Sequence, residues 1–234
     1  SYANSGFSAY IKDPEYAPGA SNDIRSFLIV QQEFIAMLEY IEPADHNSRT
    51  YSLRLRNLLI QICTEVEANL KSILLANNYS RTGAESKDWN MRDYCKVNQS
   101  HFLSEYVVYL PYWDGNNESQ PFKSWSSESG VLSWYQAYNA TKHARGSKLM
   151  DASLENVVDA MTALVVLISA QFYTIDFTGP DYLIAETGLT YGEHAIGGYF
   201  SVLFPDLEIE NRYNLDISYT SHSEQHIYQK FLYK

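Results

Sequence analysis

The chain has 234 residues, 45% of them hydrophobic and 19% charged, so it is long enough to bury a real core and too apolar for a disordered segment. A formal net charge of −11 excludes indiscriminate binding of nucleic acid or anionic membrane by the whole surface, while leaving room for a local basic patch. Its two cysteines, Cys63 and Cys95, form no CxxC pair and no disulfide framework, which points to a reducing, cytoplasmic setting.

Residues 1–20 contain Pro14, Pro18 and Gly19 and read as an irregular lead-in. Ser21 or Asn22 can cap a helix running to about Tyr40, on which Ile24, Phe27, Leu28, Phe34, Ile35 and Leu38 recur at helical spacing. Pro43 stops it. A second helix is predicted from about Tyr51 to Ala76. Leu55, Leu58, Leu59, Ile62, Cys63, Val66, Leu70, Ile73 and Leu74 form one apolar stripe along it. Cys63 falls on that stripe and reads as a buried thiol. Glu67 and Lys71 stand four residues apart in the order that favours a helical ion pair.

Residues 79–100 are polar, with a short helix predicted near 91–97. "EYVVYLPYW" (105–113) reads as strand or extended chain, and 114–130 as a long polar loop. A third long helix is predicted from about Val131 to Arg145, with Gly146 as its stop. A fourth begins after Asp151 or Ser153 and ends before Gly179. Its run 160–173 is too short to cross a bilayer and reads as a buried core helix, so no membrane association is expected. In the tail, Tyr213, Leu215, Ile217 and Tyr219 alternate with polar residues as in a half-buried strand, with "YFSVLF" (199–204) as its expected partner.

Charge is distributed unevenly. Residues 151–211 hold ten acidic residues and no lysine or arginine. Residues 46–64 hold Arg49, Arg54 and Arg56 without an acid, and 131–150 hold Lys142, Arg145 and Lys148 without an acid. Two readings stand. These cations can serve helix C-termini and salt bridges. Alternatively, the two islands share a cleft where Lys142, Arg145, Arg54 and Arg56 bind phosphate, which requires them to be neighbours in space. The acidic stretch 151–211 in turn suits a basic protein partner.

The sequence carries no Walker loop and no nucleophile elbow. His222 and His226 flank Glu224 without matching a metalloprotease motif, so neither a metal nor a cofactor is expected. On the third helix, Asn139 and His143 are four residues apart and can act together. Lys142 and Arg145 beside His143 disfavour its protonation, and a neutral imidazole suits a general base. The competing role for His143 is that of a helix-end histidine bonded to the last carbonyls.

"WYQAYNATKHARG" (134–146), followed by "ASLENVVDAMTALVVL" (152–167), resembles the HEPN family of all-α domains. "RLRNLLIQICTEVEANLKSIL" (54–74) is similar to the long preceding helix of that family, and the resemblance covers roughly 21–177. It implies a metal-independent ribonuclease of a bacterial defence or toxin–antitoxin type, acting as a homodimer on RNA or nucleotide. The family motif is an arginine, a polar residue and a histidine, with four to six residues between the arginine and the histidine. His143 and Asn139 match the last two, and the arginine position is Tyr138, with Ala137 and Gln136 at the longer spacings. A phosphate-stabilising group is therefore missing, and its loss costs roughly 10²–10³ in rate.

The expected architecture is mainly α: a HEPN-like bundle of four or five helices over 21–177, with a small C-terminal β appendage over 178–234. The expected function is RNA or nucleotide binding with a weak or inactive ribonuclease site, with Asn139 and His143 as catalytic residues. The alternative is a non-enzymatic dimeric interaction module.

Overall fold

The computed structural model describes residues 20–127, 130–143, 147–172, 193–206 and 230–233. Helix α1 spans Ala20–Leu38, and its buried residues Ile24, Phe27, Val30, Phe34 and Met37 keep the helical period. Helix α2 spans Leu53–Ala76, one turn or less from its predicted bounds. Ser52 caps its start, its Oγ accepting from Leu55 N at 3.1 Å. At the other end Asn78 takes φ 55°, Tyr79 N donates to Leu74 O at 2.9 Å and Asn78 N to Leu75 O at 3.0 Å. These two bonds are a Schellman motif, with asparagine in the left-handed position that glycine usually fills.

Short helices α3 (Met91–Tyr94) and α4 (Asn98–His101) follow, then strands β1 (Val107–Tyr109) and β2 (Glu118–Ser119), helix α5 (Ser133–His143), helix α6 (Leu154–Phe172), and strands β3 (Glu193–Ile196) and β4 (Phe200–Leu203). Helices α1, α2, α5 and α6 form the bundle. Helix α6 is its centre, touching each of the other three. Val157, Ala160, Met161, Ala163, Leu164, Val165, Val166, Leu167 and Ile168 are all at or near zero exposure, so beyond its first turn this helix is buried on nearly every side. At 19 residues it is long and apolar enough to cross a membrane by those measures alone, but that surface is spent on the bundle core.

The four strands make one antiparallel sheet in the order β2-β1-β4-β3. This corrects two expectations. Strand β4, as predicted near 199–204, does form, but it pairs with β1 and β3; the stretch 213–219 lies outside the described residues. The sheet is also no appendage. Two of its strands come from 107–119, and Phe200 and Val202 are fully buried in the common core. Phe34 of α1 meets Phe200 at 5.9 Å between ring centroids and Tyr199 at 6.5 Å. The β3–β4 turn places Gly197 at φ 61° and Gly198 at φ 69°, the left-handed pair that a tight hairpin favours. A side chain at Gly197 would collide with Gln31 of α1, whose Nε2 donates to the Gly197 carbonyl at 2.8 Å.

The segment 114–130, expected as a polar loop, is anchored instead. Trp113 Nε1 and Asn116 N donate to the Asp45 carboxylate at 2.8 and 3.0 Å, and Phe122 and Trp125 are buried. The apolar residues inside the polar run supply the anchorage that its average composition hides.

Asp159 of α6 faces the sheet, accepting from Ser119 Oγ at 3.3 Å. Burial lifts its pKa from 3.8 to about 6, partly offset by the Ser119 bond and reinforced by Glu155. The fold therefore favours the protonated acid. The group costs nothing below the unfolded pKa, and stability is lost as pH rises through about 6. At neutral pH that cost is on the order of 3 kcal/mol. Asp159→Asn is expected to raise the urea midpoint at neutral pH and to converge with the parent protein near pH ~4; parallel urea titrations across that range check it.

Candidate functional site

Helix α5 is set by which of its faces is apolar. Trp134, Ala137, Tyr138 and Thr141 are all buried, at the i, i+3, i+4, i+7 positions of one face. Trp134 Nε1 donates to Pro121 O at 3.0 Å, and Thr141 Oγ1 donates back to Ala137 O at 2.9 Å. On the flank, Lys142 Nζ donates to Tyr138 Oη at 2.9 Å and sits 5.0 Å from the centre of the Tyr138 ring. That hydrogen bond raises the lysine pKa above its ordinary value.

Two contacts tie α5 to α2. Tyr135 Oη donates to Glu67 Oε1 at 2.5 Å; burial, then this bond, push the tyrosine pKa far up, so it stays a donor. At the C-terminal end of α5, Arg56 Nε donates to Thr141 O at 3.0 Å, with Nη2 3.5 Å from Lys142 O. The final carbonyls of a helix lack partners within it and carry its negative dipole end. A guanidinium from the neighbouring helix satisfies both needs.

The predicted site residues are thus placed as follows. Asn139 is half-buried on α5, and His143 is the last residue of the same helix, so their spacing puts both on one helical face; the His143 side chain lies outside the described residues. Lys142 and Arg54 are exposed. Arg145 lies outside the described residues. Arg56, expected as a phosphate ligand, is 7% exposed; it sits beneath the surface as a clamp between helices. Tyr138, at the position of the motif arginine, is 1% exposed and belongs to the core.

The two acid-free stretches do meet. Their link is the Arg56 clamp; the start of the acidic stretch packs beside it, where Tyr51 bridges to Ser153, and Leu154 N and Glu155 N donate to Thr50 O and Ser48 O at 2.8 and 2.9 Å, bringing the exposed Glu155 to the same end. Arg49, Arg54, Lys142 and Lys148 are exposed on the segments that meet at this end of the bundle, together with the acidic Glu155. Lys148 has one long ion pair, to Asp151 at 4.0 Å, of little energetic weight.

The acidic stretch behaves differently. Asp159 is turned toward the sheet, Glu155 and Asp206 are exposed, and 173–192 and 207–211 lie outside the described residues. Among the described residues no group of three or more His, Cys, Asp or Glu could hold a metal ion, and His222 and His226 are not among them. Cys63 and Cys95 are both buried and form no disulfide. Burial, then Glu67, push the Cys63 pKa well up, which leaves an inert thiol.

Sequence reasoning missed two polar clusters. Ser100 Oγ lies 2.8 Å from His101 Nδ1, 2.9 Å from Tyr233 Oη and 3.1 Å from Val97 O. Burial pushes the His101 pKa well below its usual value, leaving a neutral ring. Ser100 is 5% exposed and covered by Tyr233, so this serine–histidine contact is a packed structural network. The second cluster surrounds Trp89, held by the segment that Asn90 and Asp93 fix. Asn90 caps α3 and Asp93 bonds back to Asn90 N at 2.8 Å; Asp93 also receives Tyr79 Oη at 2.8 Å and Arg81 Nη1 at 2.7 Å. The spacing of Asn90 and Asp93 was its readable signal.

No protein-family model matches the chain, and no curated protein or solved structure matches it.

Proposed function

We propose that the chain is a HEPN-like RNA- or nucleotide-binding module of a bacterial defence or toxin–antitoxin type, acting as a homodimer, with a weak or inactive ribonuclease site. The observation that supports this reading is the junction of the two acid-free stretches, where the Arg56 clamp holds the start of α2 against the end of α5. Arg54 and Lys142 are exposed there as phosphate-binding cations, together with Arg49 and Lys148. Asn139 and His143 stand four residues apart on α5. A histidine in that position can move the proton of a ribose 2′-hydroxyl. The phosphate charge that develops has no arginine at position 138, because Tyr138 is committed to the core.

The test is fluorescence anisotropy with labelled single-stranded RNA across a salt series. Binding is expected at low salt and to weaken steeply toward about 200 mM. Arg54→Ala and Lys142→Ala should each reduce the salt slope by about 0.7. If RNA is neither bound nor cleaved at low salt and His143→Ala changes nothing, the reading fails.

Tyr138 also favours a second reading, a non-enzymatic dimeric interaction module. It predicts a dimer by light scattering and a stoichiometric protein partner, with no change when RNA is added.

A further inference from the structure

Residues 230–233 return to the bundle in neither helix nor strand, and settle between the end of α2 and α4. Helix α2 has 24 residues, a length of about 36 Å, so this contact is remote from the basic end at Arg54.

Three contacts hold the segment. Phe231 N donates to Asn77 Oδ1 at 2.8 Å. The Tyr233 ring meets Tyr79 edge-on at 5.9 Å between centroids and Phe231 at 4.9 Å. Tyr233 Oη lies 2.9 Å from Ser100 Oγ. Ser100 gives its own proton to Val97 O at 3.1 Å, so it meets the tyrosine as an acceptor, and the pocket selects a ring with an O–H to donate. Burial keeps that hydroxyl protonated, pushing its pKa up to about 12 against the smaller opposing effect of the Ser100 bond.

The receiving side is built without the segment. Asn77 caps α2 and donates to Ile73 O at 2.8 Å. Tyr79 is fixed by its bond to Asp93 and by Trp89, 5.1 Å away. Asn98 of α4 donates to Trp125 O and accepts from Ser104 N, at 2.9 and 2.8 Å. A site already in place saves the ordering cost of binding on its own side.

The hold itself is slight. Leu232 is 84% exposed and Phe231 37%, leaving one ring, one hydroxyl and one backbone N–H to offset the entropy of ordering the segment. Residues 207–229 tether it to the end of the sheet, and a tether of that kind supplies a local concentration on the order of mM. The segment thus sits as a bound peptide that shares its chain with its site.

We infer that the cleft formed by Asn77, Tyr79 and Ser100 is a peptide-recognition site for the sequence Phe-x-Tyr in an extended segment of a partner protein, and that Phe231–Tyr233 fill it as an internal competitor. The partner's tyrosine donates to Ser100, its phenylalanine packs on that tyrosine, and the phenylalanine N–H is received by Asn77. The site owes nothing to RNA binding at the other end of α2.

The experiment is fluorescence anisotropy of a labelled peptide, Lys-Phe-Leu-Tyr-Lys, the sequence of residues 230–234, titrated with the full chain. Tyr233→Ala, which empties the cleft, is expected to bind the peptide at least about tenfold more tightly than the parent chain, whose own segment competes at the tethered concentration. Phe231→Ala, a change at a half-exposed position, should give a smaller gain and carries the test should Tyr233→Ala melt early. A peptide with phenylalanine in place of tyrosine should bind the Tyr233→Ala chain about tenfold more weakly, and adding Ser100→Ala to that chain should abolish the preference. Thermal melts verify folding. The assignment is overturned if neither tail variant binds the peptide better than the parent, if a scrambled peptide binds as tightly, or if tyrosine and phenylalanine peptides bind alike. RNA binding by Tyr233→Ala should match that of the parent chain, so failure of this site and failure of the basic end are separately visible.

Discussion

Tyr138→Arg, which completes the proposed HEPN-like motif at its shortest spacing, is expected to cost roughly 4 kcal/mol or more and to yield no ribonuclease. Position 138 is 1% exposed. Its ring lies 5.4 Å from Tyr135 and carries the Lys142 ammonium over its face. Substitution removes that aromatic packing and buries a guanidinium with no carboxylate partner beside a like charge. Urea unfolding, together with a fluorogenic RNA assay, checks the result. A stable variant that cleaves RNA would show that 138 is a site position and not a core position. Tyr138→Phe is the calibrating control. It loses only the bond from Lys142, at about 1 kcal/mol.

Arg56→Met is expected to cost about 3 kcal/mol, since it keeps much of the bulk but deletes the charged donors that serve the end of α5. Two carbonyls are left without their donor, at Thr141 and Lys142. Arg56→Lys should recover only part of the loss, because one ammonium cannot reproduce the planar fork. The measurement is the urea midpoint, paired with the salt dependence of RNA binding. If Arg56 is a clamp and not a phosphate ligand, the folded Arg56→Lys protein keeps the parent salt slope, whereas Arg54→Ala does not.

The helices were legible because their signals are local and repeated. The α2 stripe from Leu55 to Leu74 and the nearly uniform burial of α6 follow directly from residue spacing. The sheet was only half legible. Strands of three or four residues carry little periodicity, and the pairing of Val108 with Val202 joins segments far apart in the chain. The candidate site divided in the same way. The sequence marked Asn139, His143, Lys142 and Arg54 through spacing and local charge. It had no means of separating Arg54 from Arg56, two residues apart on one helix, one exposed and the other turned under α5. Nor did anything near Ser100 announce the tyrosine that covers it, since Ser100 and Tyr233 stand 133 residues apart in the chain.

The sheet order has a consequence for how the chain is made. Strand β4 sits between β1 and β3, and β1 emerges about 90 residues before it, which at ordinary synthesis rates is roughly 5–20 s. For that time one edge of β1 has no ladder partner, and the side of the core that Phe200 and Val202 complete stays open. Such an edge is where a nascent chain pairs with the wrong neighbour. Ribosome-bound chains halted before Phe200 should accordingly be the protease-sensitive and chaperone-bound species, with protection gained only once the last strand slides in.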